Sequence, residues 1–139
     1  MPDLPLAQRV EVVSLPVSGE FATEKRFADS RGEGHLILNG PQVRRAGLFT
    51  LLPGAGCRGG HMHRSKNEYI YVAAGRGRAE FFCPHSGERL ALEVEAGHRL
   101  YIPAGVAHRF TASQAMTFVE LSDRPYQAED DLPVEFAQE

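Results

Sequence analysis

The stretch GGHMHRSKNEY, residues 59–69, places two histidines two positions apart and a glutamate five positions after the second. In a strand, alternate residues face the same side and lie about 6.6 Å apart. His61 and His63 can therefore reach one ion together. The pair alone carries little weight, because six histidines in 139 residues give this spacing by chance about 0.2 times per sequence.

A second stretch, GHRLYIPAGVAH at residues 97–108, adds to the first. It spaces Gly97, Pro103, Gly105 and His108 in a pattern that arises by chance in about 0.4% of sequences. The apolar LYIP segment predicts a strand and PAG predicts a turn. The turn would deliver His108 to the start of the following strand.

Short runs rich in Val, Ile, Phe and Tyr recur along the chain between Gly, Pro and Asn turn signals. This pattern predicts an all-β protein, and no segment has sustained helical periodicity. The predicted strands are Val10–Leu15, His35–Leu38, Ala46–Leu52, Tyr69–Ala73, Arg78–Phe82, Leu90–Val94, Leu100–Ile102, His108–Thr111 and Met116–Leu121.

The two motif stretches together resemble the two motifs of the cupin superfamily, and the resemblance covers roughly residues 43–121. It implies a single-domain cupin, folded as a small antiparallel jelly-roll β-barrel. It also implies one divalent transition metal inside the barrel. The ligands carried over from the motifs are His61, His63, Glu68 and His108. Ala55 and Ala112 stand where the motifs usually have glycine and asparagine, but neither position supplies a ligand.

Three imidazoles and a carboxylate suit Fe, Mn, Ni, Co or Zn as divalent ions, and the residues alone do not choose among these metals. Four protein ligands leave an open position for water or substrate, which is typical of catalytic sites. An exposed polar turn and a cupin with a degraded site are the alternatives. The joint spacing of both motifs favours the metal site.

The chain also resembles a smaller group within the superfamily. The stretches DSRG at residues 29–32 and RGGHMH at residues 58–63 are similar to those of RmlC-like cupins, which isomerise or epimerise 4-keto-6-deoxy nucleotide sugars. The resemblance assigns a substrate contact to Arg31, although DSRG by itself is typical of a turn. The ketoisomerases of this group generally lack a full ligand set and use histidines as acid and base. Glu68 sets this chain apart from them.

The favoured function is therefore an enzyme, a carbohydrate isomerase or epimerase acting on a nucleotide- or phospho-sugar, with His61, His63 and His108 as catalytic residues. An Fe(II)-dependent dioxygenase of a small polar substrate is an alternative, and a non-catalytic ligand-binding cupin is another. Phe110 shares the strand parity of His108 and is expected to wall the pocket. Glu120, a charge within the apolar run TFVEL, is expected to contact substrate, with an exposed strand end as its other interpretation.

Composition limits the partners. A net charge of −3 and a pI of about 6.1 argue against nucleic acid and anionic membranes, which favour basic surfaces. A small-molecule substrate is expected instead. No signal-peptide core or long apolar run occurs, which predicts a cytoplasmic protein with reduced thiols. The resemblance implies a homodimer.

The chain is divided into an N-terminal arm (1–18), the cupin barrel (19–125) and a C-terminal tail (126–139). Cys57 is expected to be buried, whereas Tyr71 is expected to face outward or into a dimer contact. Lys66 is most simply part of a solvated rim, and His35 is expected to be a solvated surface residue.

Overall fold

The computed structural model describes residues 4–136, and strands dominate this part of the chain. A short helix, α1 (Leu6–Arg9), precedes the first strand. The strands are β1 (Glu11–Ser14), β2 (Lys25–Asp29), β3 (Gly32–Leu36), β4 (Arg45–Leu51), β5 (Cys57–His63), β6 (Glu68–Phe82), β7 (Arg89–Glu95), β8 (His98–Ile102), β9 (Ala107–Ser122) and β10 (Asp131–Pro133). A 3-10 turn, Ala128–Asp130, leads into β10.

Eight of these strands form one antiparallel sheet in the order β1-β8-β6-β9-β5-β10, with β7 beside β6 and β4 beside β9. Strands β2 and β3 form a separate hairpin. The predicted all-β class and the antiparallel pairing are therefore confirmed. The edge strands β1 and β10 do not pair with each other within residues 4–136, so the hydrogen-bonded sheet is not a closed ring.

The two longest strands correct the sequence prediction. Each of β6 and β9 was expected as two strands with a turn between, but each is continuous. The glycines of AGRG mark a bend, where the pairing of β6 with β9 shifts register between Val72 and Gly77. A Cβ on Gly75, which has φ +85°, would lie 2.1 Å from the Ala115 carbonyl oxygen. Glycine at this position lets two strands approach closely, and it does not end the strand.

The apolar core lies on the inner face of the bent sheet. Its side chains include Ile70 and Val72 on β6, Phe110 and Phe118 on β9, and Leu6 of α1, all fully or nearly fully buried. The segment interpreted as an arm thus contributes to the core, and its strand β1 pairs with β8. The segment interpreted as a tail adds β10 to the free edge of β5.

The outer face is covered in part by the β2–β3 hairpin. Tyr71 lies on this outer face, but it is 0% exposed, because His35 of the hairpin lies edge-on against it with ring centres 5.5 Å apart. His35 itself is only 19% exposed, so the expectation that it is a solvated surface residue was wrong. The sequence did not indicate that a hairpin packs on this face. No helix within residues 4–136 is long and apolar enough to cross a membrane.

Candidate metal centre and cavity

A bulge in β5 aims the first pair of histidines. Gly59 pairs with Arg109, but His61 pairs with His108, so one extra residue is inserted between them. Gly59 has φ +94°, and a Cβ there would lie 2.6 Å from the His108 carbonyl oxygen. The bulge also breaks the two-residue alternation between Cys57 and His61. Cys57 is consequently exposed, and the expectation that it is buried was wrong.

The predicted ligands meet at one point. One ligand atom from each of His61, His63, Glu68 and His108 lies within 4.8 Å of all the others. Glu68 Oε1 lies 2.5 Å from His63 Nε2 and 3.5 Å from His108 Nε2. The His61 ring centre is 4.8 Å from that of His63 and 4.9 Å from that of His108. The cluster thus unites residues from β5, the start of β6 and the start of β9.

In two of these histidines, the Nδ1 atom that faces away from the cluster is hydrogen-bonded. His63 Nδ1 lies 2.6 Å from Asp131 Oδ1 of β10, and His108 Nδ1 lies 3.3 Å from the Val106 carbonyl oxygen. Donation of both Nδ1–H groups leaves the Nε2 lone pairs turned toward Glu68. A carboxylate that orients a histidine in this way is the usual arrangement behind a metal-bound imidazole.

The inner atoms fit a divalent metal. His63 Nε2, Glu68 Oε1 and His108 Nε2 are buried and have no hydrogen-bond partner within residues 4–136, although they lie in near contact. Buried polar atoms are normally hydrogen-bonded. A shared ion accounts for all three atoms at once, because any two ligands of an ion bound at about 2.1 Å lie no more than about 4.2 Å apart. The residues present therefore fit a bound ion.

The ligand residues of the cluster differ in their electrostatics. Burial lowers the pKa of His63, but its contact with Glu68 outweighs this, so that the pKa is raised. Burial lowers the pKa of His108 to about 4. Burial also raises the pKa of Glu68, but the contact with His63 and the neighbouring positive charges outweigh this, so the pKa falls to about 2. Burial and the charge of His63 lower the pKa of His61. Near neutral pH the cluster thus presents a carboxylate and, at His61 and His108, neutral imidazoles.

The cluster opens into a cavity of about 250 Å³. Beside the histidines it is lined by three carboxylates, three cationic side chains and two aromatic rings. These are Glu68, Glu120, Asp131, Arg45, Arg58, Lys66, Phe49 and Tyr126. A larger groove of about 460 Å³ lies near Arg44 and Arg124, but it contains none of the predicted ligands, so the chemistry is assigned to the smaller cavity.

Glu120 is the carboxyl of this cavity that stands outside the ligand cluster. Burial and, after it, the charge of Glu68 raise its pKa to about 7, although the charges of Lys66, His63 and Arg45 lower it. Lys66 also departs from its prediction, because it is only 5% exposed. Its expected place on a solvated rim was wrong.

Two predicted substrate contacts lie elsewhere. Arg31 sits at the tip of the β2–β3 hairpin, 86% exposed and paired with Asp29 at 2.7 Å. Phe110 packs behind His108 with ring centres 6.3 Å apart and is 2% exposed. Neither lines the cavity, and their contacts with substrate stay predictions. Asp131 was missed, because only the pairing of β10 with β5 brings it to His63.

The fold has counterparts among known proteins. A family model described as Cupin matches residues 42–138, and no curated protein sequence matches the chain. A sugar 3,4-ketoisomerase from Thermoanaerobacterium thermosaccharolyticum in complex with TDP has a TM-score of 0.69 at 16% identity, covering 89% of this chain and 87% of that one. A 3'-monoepimerase from Streptomyces bikiniensis in complex with dTDP-quinovose has a TM-score of 0.73 at 19% identity, covering 91% and 70%. The dTDP-4-dehydrorhamnose 3,5-epimerase from Sulfolobus tokodaii has a TM-score of 0.72 at 20% identity, covering 92% and 78%. At these identities the likeness shows a shared fold.

Proposed function

The chain belongs to the cupin family, and on that premise we propose that it is a sugar isomerase or epimerase that moves a proton on a carbon next to a carbonyl group. The observation that carries the proposal is one cavity that joins the His/Glu cluster to a separate carboxyl, Glu120. The named activities of the structural neighbours, a ketoisomerase and two epimerases of nucleotide sugars, support this reaction class over the other activities that this fold can host.

The reaction requires a base near the C–H bond and stabilisation of the negative charge that develops on the carbonyl oxygen. A divalent ion held by His61, His63, Glu68 and His108 would supply that stabilisation by withdrawing electrons from the carbonyl. Zinc or manganese would suit this role, whereas iron would suit an oxygenase. Both the presence of a bound metal and the choice of zinc or manganese belong to the proposal.

Glu120 suits the role of proton carrier. A catalytic acid or base works best when its pKa lies near the working pH, and that of Glu120 is about 7. Its carboxylate takes the proton from the carbon, and the C–H electron pair moves into the new C=C bond of an enolate. For isomerisation, the protonated Glu120 returns the proton to the adjacent carbon, while the hydroxyl proton of the first carbon passes to the enolate oxygen, so that the carbonyl and hydroxyl groups exchange places. For epimerisation, a second donor on the opposite face of the carbon supplies the proton that replaces the one Glu120 removed.

The histidines have a second role within the same proposal. If the chain works without a metal, His61 and His63 are free to act as acid and base, as the resemblance to the ketoisomerases implies. His61 lies at the cavity wall, and its lowered pKa keeps it neutral near pH 7, ready to accept a proton. Retention of activity after complete metal removal would favour this version.

Hydrogen exchange at carbon tests the proposal. The protein is incubated in D₂O with TDP-4-keto-6-deoxyglucose, the ligand of a neighbouring ketoisomerase structure, and with keto-sugar phosphates, and the C–H signals beside the carbonyl are followed by NMR. Enzyme-dependent loss of these signals is expected. Glu120→Gln should slow it by about 10²- to 10⁴-fold, whereas Glu93→Gln, at an exposed position on β7, should not. Absence of exchange, or oxygen uptake with iron in its place, would contradict the proposal.

The homodimer is also a proposal, supported by the resemblance to small cupins. Sedimentation of the purified protein at several concentrations tests it, and a monomer throughout would contradict it.

A further inference from the structure

Lys66 is a largely buried residue whose ammonium group has no hydrogen-bond or ion-pair partner in the described part of the chain. It lies in the loop between β5 and β6, lines the cavity and is only 5% exposed. Removing a charge from water is unfavourable unless a counter-charge and hydrogen bonds replace the water. The ammonium group of Lys66 can therefore bind an anionic group that enters the cavity.

The nearby carboxylates are engaged elsewhere or stand apart from it. Glu68 Oε1 faces His63 and His108, and Asp131 holds His63. The charge of Lys66 lowers the pKa of Glu120, but the two side chains form no ion pair within residues 4–136. The positive end of Lys66 is thus left for whatever enters the cavity.

Two exposed arginines at the mouth of the cavity also lack a carboxylate partner within residues 4–136. Arg45 lies over the Tyr126 ring at 5.0 Å, and Arg58 lies over the Phe49 ring at 5.9 Å. Arg58 Nε also donates to the Thr50 carbonyl oxygen at 3.0 Å. Stacking on a ring and a backbone bond fix the direction of a guanidinium while leaving its other N–H groups available.

We infer that the occupant of this cavity is a sugar that carries an oxyanion, either a carboxylate or a phosphate, with Lys66 as the inner contact of that anion and Arg45 and Arg58 at the mouth. The sugar in this statement rests on the proposed function, whereas the anion rests on the three cations alone. A cavity of about 250 Å³ is at the small end of ligand sites. It suits one sugar ring with its charged group, and any larger part of the ligand lies outside.

Three probes with one ring isolate the charge. Glucose 6-phosphate, glucuronate and glucose are titrated into the protein by calorimetry, as purified and again after chelator treatment. The chelator-treated sample removes any contribution of a bound ion. Binding of at least one charged probe about tenfold or more tighter than glucose is expected, and the stronger of the two identifies phosphate or carboxylate as the group recognised. Equal binding of all three, or no binding of either charged probe, would overturn the inference.

Matched variants then locate the contact. Lys66→Met should remove the advantage of the charged probe, a loss of about tenfold or more. Lys66→Arg should keep most of it, and Arg64→Met, two positions away at an exposed site, should leave it unchanged. Thermal unfolding of Lys66→Met should stay at or above that of the wild type, since a buried charge is removed. Unchanged binding in Lys66→Met, or a marked loss of its thermal stability, would assign Lys66 a structural role and overturn the inference.

The two proposals fail separately. Anion binding that depends on Lys66, without exchange at carbon, would leave an anion-binding cupin and remove the isomerase. If neutral keto-sugars exchange hydrogen at carbon and the rate does not depend on Lys66, the isomerase proposal stands. The inference that the substrate carries an oxyanion then fails.

Discussion

Two groups of histidines in this molecule differ in how their nitrogens are used. His35, on strand β3 of the β2–β3 hairpin, has one ring nitrogen bonded to the Tyr71 hydroxyl and the other 3.0 Å from Glu33 Oε1. His63 and His108 have one nitrogen bonded each, and their inner Nε2 atoms are buried with no hydrogen-bond partner within residues 4–136. All three are largely or fully buried, so burial does not separate them. A buried nitrogen left unbonded, beside others like it, therefore separates the proposed ligands from His35.

Removal of the central carboxylate should have the largest effect. Glu68→Leu keeps most of the side-chain volume and deletes the oxygen that faces both His63 and His108. Metal affinity, measured by competition with a chromogenic chelator, should fall by more than the roughly 10- to 100-fold that an outer-shell change costs. His35→Ala is the control from the other histidine group and should keep wild-type affinity. Equal losses in both variants would erase the distinction.

Glu120 extends the comparison to pH. Its folded pKa of about 7 exceeds the ordinary value of 4.5, so protonation favours the folded state. This contribution is complete below about pH 4.5 and is lost as pH rises through about 7. Across that window it amounts to about 3 kcal/mol at most, since a tenfold change in proton affinity is equivalent to about 1.4 kcal/mol.

Glu120→Gln should therefore flatten the fall in stability between about pH 4.5 and pH 8. Urea unfolding of the chelator-treated wild type and variant at several pH values measures how the free energy of unfolding depends on pH. The variant should be the more stable protein at about pH 8 and close to the wild type at about pH 4.5. A parallel pH dependence in both proteins would show that Glu120 does not carry the effect.

Asp131 tests the orientation of a ligand without removing it. Asp131→Asn weakens the hold on His63 Nδ1, 2.6 Å away, and should lower metal affinity about 10- to 100-fold. Glu33→Gln makes the same kind of change behind His35 and should leave metal affinity alone. Lower metal affinity in Glu33→Gln, or unchanged metal affinity in Asp131→Asn, would contradict the separation of the two histidine groups.

Tyr71 carries the smallest expected effect. Tyr71→Phe deletes the hydroxyl bonded to His35 Nδ1 and should cost about 1 kcal/mol of unfolding free energy, typical of one hydrogen bond. Metal affinity should not change. Denaturant unfolding with a parallel metal titration checks both, and a change in metal affinity would link the two histidine groups.

The resemblance to the two cupin motifs named the four residues that the structure brings together at one point. Their role as metal ligands stays a prediction. The sequence also predicted most strands, since alternation records which face is buried. It did not predict that β6 runs unbroken, because glycines that permit close strand contact look like turn glycines. It did not predict that β9 runs unbroken, because the segment ASQA at residues 112–115 separates two apolar runs. Cys57 was misplaced by the bulge at Gly59, which shifts parity without a clear sequence signal.

Long-range contacts account for the other misses. Asp131 is 68 residues from His63 in the chain, and only strand pairing brings the two together. Tyr71 and His35 are buried by a hairpin whose docking position no local pattern indicates. Lys66 looked like a solvated residue because loops between strands are usually exposed, and its burial depends on the cavity around it.

The most direct test of the account is the metal content of the protein purified without chelator, measured by elemental analysis beside His61→Ala. The account predicts one divalent transition ion per chain in the wild type and its loss in the variant, with zinc or manganese favouring the isomerase chemistry. No bound ion, together with no uptake on reconstitution with any of these metals, would contradict it. The histidines would then remain only as candidate acid and base groups.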